Sequence, residues 1–333
     1  MVKSNEEKIR IYQLVKEILI IGGGAMGSAF TFPCIDNKNK VIITEPYNKV
    51  FIKNLSSNNK YHSSLKKNLP SKLKYKKYST NLLKKKYDLV VVALSLSGIK
   101  FISEEFKQSK IKSPVLILTK GLKYDRKKEK IYTISEDIKK NIKNINISVL
   151  KGPCLAKELS NKKQTSVVVA NKNIKTAKNI CKMISTKYYI TETSKDIIGI
   201  EICSAIKNIY SMIIGAGDSL NMSSSLFKKS INEMIYITKY FKGKIETALG
   251  LAGVGDLYVS AAGGRNSKMG GYLGQGYTFN NAKRKFMPNE TVEGEQLARE
   301  IAPFVLKKIQ QKKIPLMTKL IKSIINNKKL ILN

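Results

Sequence analysis

Apolar residues fall along this chain in two different rhythms. Up to about residue 195 they come as short unbroken runs: Ile18–Ile21, Val41–Thr44, Leu89–Leu94, Val115–Thr119, Ile147–Leu150, Ser166–Ala170 and Tyr188–Thr191. Runs of this length, rich in β-branched residues, predict buried strands. Between them Ile99–Phe106, a segment near Ile131–Ile142 and Ile174–Ile184 read as helices, and Ala156–Leu159 begins a short one. The lysine-rich stretch Asn48–Lys86 holds one or two helices and a weak strand across Leu73–Tyr78. Strands alternating with helices predict a mainly parallel, right-handed, doubly wound α/β sheet. Beyond about Lys195 the strand-like runs stop. Helical period takes over in Ile197–Ile214, Leu226–Phe241, Val292–Lys308 and Pro315–Asn326, while Gly263–Tyr277 reads as a glycine-rich loop region. The expected organisation is an N-terminal extension at residues 1–15, an α/β domain at 16–194 and an all-helical domain at 195–333, with no solenoid repeat.

The first strand runs straight into Gly22, Gly24 and Gly27, spaced G-x-G-x-x-G, and Ser28-Ala29-Phe30 then opens a helix. Gly22 permits the tight turn, Gly24 lets backbone approach a pyrophosphate, and Gly27 lets helix and strand pack closely. The helix N-terminus offers free N–H groups and partial positive charge to phosphates. A glycine triplet alone also suits an ordinary loop. The context adds Glu45, an acid at the tip of the second strand. A carboxylate there accepts from a ribose 2′-OH and repels a 2′-phosphate, which favours NAD over NADP. The plain alternative for Glu45 is a solvated loop acid. Pro33 falls where the first helix should still run, which predicts a short or bent helix.

Composition changes this picture little. A chain of 333 residues, 42% hydrophobic, is long enough for two domains with real cores. No apolar run is long enough for a transmembrane helix, and the charged start lacks a secretory core. Glu6, Glu7 and Glu17 speak against a transit peptide, so a cytoplasmic location is expected. The net charge of +37 raises nucleic-acid binding. Yet the lysines are scattered, come with abundant Ile and Asn and no Trp, and form no basic helix with zipper heptads. The reading is lysine on solvated faces, with no nucleic-acid or membrane partner, in a field that still draws in anions. Cys34, Cys154, Cys181 and Cys203 include no C-x-x-C pair, so no metal site is expected. The single histidine, His62, lies in a polar stretch that reads as surface. A proton donor must then be Lys, Tyr, Ser or an acid.

Three places can carry such chemistry. Lys207 has bulky apolar neighbours along Ile200–Asn208, and lost hydration lowers a lysine pKa toward acid/base use. Asp256 closes the small apolar run Gly250–Leu257 and needs a partner if buried, for which a lysine serves. Gly263-Gly264-Arg265-Asn266 offers a guanidinium fork and free N–H groups to a phosphate. Taken singly, these are equally a surface lysine, a helix N-cap and a glycine turn with a surface arginine.

Together five motifs, Gly22-x-Gly24-Ala25-x-Gly27, Gly152-Pro153-x-x-Ala156-Lys157-Glu158, Glu201-Ile202-Cys203-x-Ala205-x-Lys207-Asn208, Gly250-Leu251-Ala252-Gly253-Val254-Gly255-Asp256-Leu257 and Gly264-Arg265-Asn266, resemble the NAD(P)-dependent glycerol-3-phosphate dehydrogenase family. The resemblance spans residues 17 to 310 in order. It implies a Rossmann-type cofactor domain, a helical domain like the C-terminal domain of 6-phosphogluconate dehydrogenase, and a homodimer. The implied reaction is reduction of dihydroxyacetone phosphate to sn-glycerol 3-phosphate for glycerophospholipid synthesis. Lys207 matches the catalytic lysine, Lys120 a second active-site lysine that also contacts cofactor and substrate, and Asp256 a catalytic partner. The resemblance places Gly22, Gly24, Ala25, Met26, Gly27, Glu45, Ala156, Arg265 and Glu293 against the cofactor. It places Asn208, Asp256, Ser260, Arg265 and Asn266 against the substrate, Ser260 standing where Thr is common. Ser95 stands where the family has Pro, and Cys154 where Ser or Asn is usual, which leaves open another phosphorylated ketose or polyol. A basic nucleic-acid-binding protein is the remote alternative.

Overall fold

Four strands buried on both faces form the middle of the sheet, and their continuous apolar runs are the reason they are strands. The computed structural model describes residues 15–56 and 60–332; all but Val15 of the expected extension, and residue 333, lie outside the described residues. The chain runs β1 (Glu17–Ile21), α1 (Ala25–Asp36), β2 (Lys40–Thr44), α2 (Lys49–Ser56), β3 (Tyr61–His62), β4 (Lys67–Asn68), β5 (Lys74–Tyr75) and α3 (Thr80–Lys84). It continues through β6 (Leu89–Val92), α4 (Gly98–Ser109), β7 (Val115–Ile117), β8 (Leu122–Asp125), β9 (Lys130–Thr133), α5 (Ile134–Asn141) and β10 (Ile147–Lys151). Next come α6 (Ala156–Ser160), β11 (Thr165–Ala170), α7 (Ile174–Ile184) and β12 (Tyr189–Ser194).

The sheet order is β12-β11-β10-β7-β6-β1-β2-β5. Ile18–Ile21 lie between Val41–Thr44 and Leu89–Val92, all parallel. β11 runs antiparallel to β10, and β12 follows β11. The sheet is thus mainly parallel, with a reversed pair at one edge. Strand order turns back between β1 and β6, which opens a crevice at their carboxyl ends, where such sheets bind ligands.

After Ser194 the architecture is helical. α8 (Ile197–Gly215) is followed by α9 (Leu220–Tyr240), α10 (Ile245–Leu249), a π-turn at Leu251–Gly255, α11 (Asp256–Ala261), α12 (Arg265–Gly274), α13 (Phe279–Phe286), α14 (Glu293–Lys308) and α15 (Pro315–Ile325). Against the expectation from sequence, α8 is long and apolar enough to cross a membrane, but 94% of that stretch is buried inside the protein. It is the core helix against which α9, α11, α12, α14 and α15 pack.

Several expectations are corrected. Gly263–Tyr277 is not a loop, because α12 occupies most of it. Its glycines are the contact surface with α8: a Cβ on Gly270 would lie 2.0 Å from the Met212 carbonyl oxygen, and one on Gly274 2.3 Å from that of Ala216. Helix backbones this close admit only glycine. α1 is not cut short at Pro33 but runs on to Asp36. Proline costs one upstream hydrogen bond, and burial of every residue from Gly27 to Cys34 outweighs it. The segment from Ile131 begins as strand β9, paired in a hairpin with β8, before α5 starts. Thr133 and Glu136 close a capping box there, and this fixes the helix start three residues later than expected. The Leu73–Tyr78 strand shrinks to two residues beside β2.

Candidate active site

The glycine turn sits at the crevice and is braced from three sides. Gly22 adopts φ +116°, and a Cβ on it would meet the Ala93 carbonyl oxygen at 2.5 Å. A Cβ on Gly27 would lie 2.1 Å from the Gly22 carbonyl oxygen. Gly24 differs: nothing stands within 4 Å of where its Cβ would be. Gly24 is also the N-cap of α1, and no side chain caps that end. Open space beside an uncapped helix N-terminus fits a pyrophosphate, and Ala25, Met26 and Gly27 supply the first-turn amides.

Glu45 is not solvated. It is 5% exposed, and its carboxylate accepts from the backbone N–H of Gly23 at 2.6 Å, Tyr47 at 2.7 Å and Asn48 at 3.1 Å. It ties the tip of β2 to the turn and keeps spare acceptor capacity for a ribose hydroxyl. His62, expected on the surface, is 6% exposed. Its Nδ1 accepts from the Leu65 N–H at 3.3 Å, so Nε2 carries the proton and donates to the Gly23 carbonyl at 3.0 Å. The ring of Phe51 packs edge-to-face against it and covers Gly23. A polar sequence around His62 concealed this, because its partners are backbone groups, the Leu65 N–H nearby and the Gly23 carbonyl far back in the chain.

The second half of the site is a carboxylate between two amines. Asp256, at the start of α11 and 2% exposed, accepts from Lys207 Nζ at 2.7 Å through Oδ1 and from Lys120 Nζ at 2.6 Å through Oδ2. Lys207 projects from α8, is 6% exposed, and also bonds Ser260 Oγ. Lys120 follows β7 at its carboxyl end. The end is continuous with the glycine turn: Thr119 Oγ1 donates to the Leu94 carbonyl at 2.7 Å, next to the Ala93 carbonyl that faces Gly22. Burial pushes Lys207 down to about 8; the Lys120 charge adds to this and Asp256 opposes it. Burial also works against the charge of Lys120, but the Asp256 carboxylate wins and holds it above the ordinary lysine value. Asp256 is penalised by burial, yet its two ammonium neighbours keep it below the ordinary carboxylate value. The site therefore holds one firmly charged amine and one that titrates near 8.

A polar chain extends from this centre. Arg265, at the first turn of α12, donates to Glu293 at 3.1 Å, and both stay half-exposed. Glu293 accepts from Asn208 Nδ2 at 3.2 Å. Asn208 Oδ1 accepts from Asn266 at 3.2 Å, and Asn266 Oδ1 accepts from the Gly294 N–H at 2.8 Å. One connected network thus joins Asn208, Arg265, Asn266 and Glu293, from three helices. Ala156 opens α6 after the Gly152-Pro153 turn, where Gly152 takes φ +135°. Pro153 faces Gly255 across the seam between sheet and helices. Cys154 beside it is half-buried, and burial pushes its thiol up to about 12. Ser95 bonds Ser97 near the crevice rim. Among the described residues no cluster of His, Cys, Asp and Glu has the makings of a metal site.

Residues 17–177 match the model of the NAD-dependent glycerol-3-phosphate dehydrogenase N-terminus, and residues 196–331 that of its C-terminus. The glycerol-3-phosphate dehydrogenase [NAD(P)+] of Francisella tularensis subsp. holarctica strain LVS is 30% identical over 303 residues, 88% of either chain. The NADP(+)-dependent glycerol-3-phosphate dehydrogenase of Archaeoglobus fulgidus is 29% identical over 280 residues, 80% of this chain and 82% of that one. Among solved structures, glycerol-3-phosphate dehydrogenase from Coxiella burnetii superposes with a TM-score of 0.82 at 22% identity, covering 95% of this chain and 96% of that one. The enzyme from Plasmodium falciparum does so with 0.84 at 20% identity, covering 95% and 93%.

Proposed function

The chain belongs to the NAD-dependent glycerol-3-phosphate dehydrogenase family, and on that premise we propose that Lys207 is the proton donor of its reaction, with Asp256 and Lys120 setting its charge. The protein is an NAD(P)-dependent oxidoreductase acting on a CH–OH group, and the reaction is the reduction of dihydroxyacetone phosphate to sn-glycerol 3-phosphate, in keeping with a role in glycerophospholipid synthesis. Gly24 and the first-turn amides of α1 would hold the reduced cofactor, which when bound would supply the hydride that C2 of the ketone receives. Lys207, as an ammonium, gives its proton to the oxygen that gains charge at C2. Lys120 stays charged and stabilises the same oxygen electrostatically, the kind of contribution worth about 3–4 kcal/mol per donor in a dry site. Asp256 holds both amines in register and is not itself the source of the proton.

Arg265 and Asn266 bind the substrate phosphate at the first turn of α12, whose N-terminus adds favourable charge. That remote binding orients the reacting carbon. Arg265 leaves its half-exposed pair with Glu293 to do so, and Glu293 then lies beside the cofactor. Ser260 and Asn208 line the substrate side, and Ala156 the cofactor side. Glu45 accepts from the adenosine ribose and makes a 2′-phosphate unwelcome, so NADH is preferred over NADPH. The cofactor-binding unit comprises residues 16–194 and the substrate-binding unit residues 195–333. The enzyme works as a homodimer in the cytoplasm, on a small phosphorylated substrate, with neither nucleic acid nor membrane as partner.

The observation that carries the reading is the shared carboxylate: one buried acid holding two lysines from the two halves of the chain. Initial rates with dihydroxyacetone phosphate, comparing NADH with NADPH, test it. Turnover with NADH in preference is expected; turnover of some other phosphorylated ketone alone would move the substrate assignment.

A further inference from the structure

Lys151 is buried to the same degree as Asp256, 2% exposed, and the reaction above does not use it. Lysine is rarely buried without a carboxylate partner. Lys151 forms no ion pair among the described residues; its Nζ donates to the Thr119 carbonyl at 2.7 Å and the Ile117 carbonyl at 3.2 Å. Two carbonyls satisfy the two N–H groups of a neutral amine, whereas an ammonium would bring a third. Burial pushes Lys151 down to about 7; Glu201 and Asp256 oppose this fall and Lys120 adds to it. The uncharged form is accordingly within reach at neutral pH.

The carbonyls it holds belong to the segment that presents Lys120. The β7–β10 ladder ends at Ile117 beside Val149, so Thr119 lies past the reach of strand pairing on that side. On the other side the Leu118 N–H donates to Val92 at 2.9 Å and Thr119 Oγ1 donates to Leu94. Directly after Lys120 the chain swings away at Gly121, φ +144°. Residues 117–120 therefore hang between β6 and the side chain of Lys151.

We propose that Lys151 is a positioning residue: by tying the carbonyls of Ile117 and Thr119 it fixes the backbone that carries Lys120 and so aligns Lys120, Asp256 and Lys207 for turnover. The inference rests on the reading of the site given above. Displacing Lys120 would disturb the charge at the reacting centre more than the glycine turn, which follows β1 and meets this segment through the Leu94 carbonyl that Thr119 holds.

The test compares wild type with Lys151→Met, which keeps the length and removes the donors, and Lys151→Gln, which restores two N–H donors without charge. Kinetics with dihydroxyacetone phosphate are set beside NADH binding by fluorescence and thermal unfolding. Lys151→Met is expected to lose roughly tenfold to a hundredfold in kcat, as small misplacements of reacting groups do, with NADH binding retained; Lys151→Gln should recover part of the loss. Wild-type turnover in Lys151→Met overturns the inference. So does a Gln variant no better than Met, or a loss of turnover matched by equal loss of NADH binding and of thermal stability, which would mark a packing role only. Absence of turnover in the wild type would instead overturn the reaction assignment.

Discussion

Lys120 and Lys207 share one carboxylate, yet their surroundings divide them. Lys120 gains more from Asp256 than burial takes away; Lys207, deeper on α8, loses more to burial and to Lys120 than Asp256 returns. In the proposed reaction, ketone reduction needs Lys207 protonated. The kcat/KM for dihydroxyacetone phosphate should therefore fall as pH rises through about 8, and that for glycerol 3-phosphate oxidation should rise over the same range. A reduction profile flat through that region would remove Lys207 as the acid. Replacing Lys207 by Ala should leave NADH binding intact and lower kcat by about 10²–10⁴, the usual worth of a placed acid. Arg265→Ala should lower kcat/KM for the phosphosubstrate by about tenfold or more for a lost charge-assisted bond; an unchanged kcat/KM would take the phosphate away from Arg265. Apolar neighbours and the need of a buried charge for a partner made Lys207 and Asp256 candidates, and the linked motifs raised them above a surface lysine and a helix N-cap. His62 and Lys151 were not legible, since their partners are carbonyls and N–H groups, which no residue type advertises.

At the level of elements, the glycine turn separates two roles that the spacing G-x-G-x-x-G merges. Gly24 faces open space with φ −64°, while Gly27 has the Gly22 carbonyl oxygen 2.1 Å from its would-be Cβ. Gly24→Ala should thus unfold at the wild-type temperature but bind NADH more weakly, because the added methyl stands where the pyrophosphate goes. Gly27→Ala should lower the unfolding temperature, as overpacking costs about 1–3 kcal/mol. Equal effects on stability from both would contradict the division. The glycines of α12 show the opposite hazard. Read in sequence they announce a loop, yet Gly270 and Gly274 are where α12 lies against the backbone of α8. Glycine permits a turn and permits close helix contact for the same reason, the missing Cβ, and only the neighbour reveals which is in use. Pro33 misled similarly: its local cost is real, but α1 is held by burial on all sides rather than by propensity.

For the whole molecule the net charge of +37 is a source of long-range field. Phosphorylated substrate and dinucleotide are both anions, and a cationic field raises their encounter rate in a salt-dependent way. The kcat/KM for dihydroxyacetone phosphate should fall steadily with added salt while kcat holds, since the Lys207–Asp256 pair is buried and weakly screened. A salt-insensitive kcat/KM would leave the charge without a catalytic consequence. The two halves of the chain make one site: Lys120 from the sheet half meets Asp256 and Lys207 from the helical half, and Pro153 meets Gly255 across the same seam.

Periodicity determined the alternation of strands and helices and the change to all-helical architecture near residue 195, glycine spacing gave the turn after the first strand, and only the resemblance across five linked motifs singled out Lys207 and Asp256, because each of these rests on a local pattern or on linked motifs. The tertiary structure alone decided that Glu45 is spent partly on backbone amides, that the one histidine braces the turn, that α12 is a helix packed on glycine, and that a second buried lysine underlies Lys120. Those are contacts between segments far apart in the chain, with main-chain groups as partners, and hydrogen bonding to a peptide carries no signature of sequence at its other end.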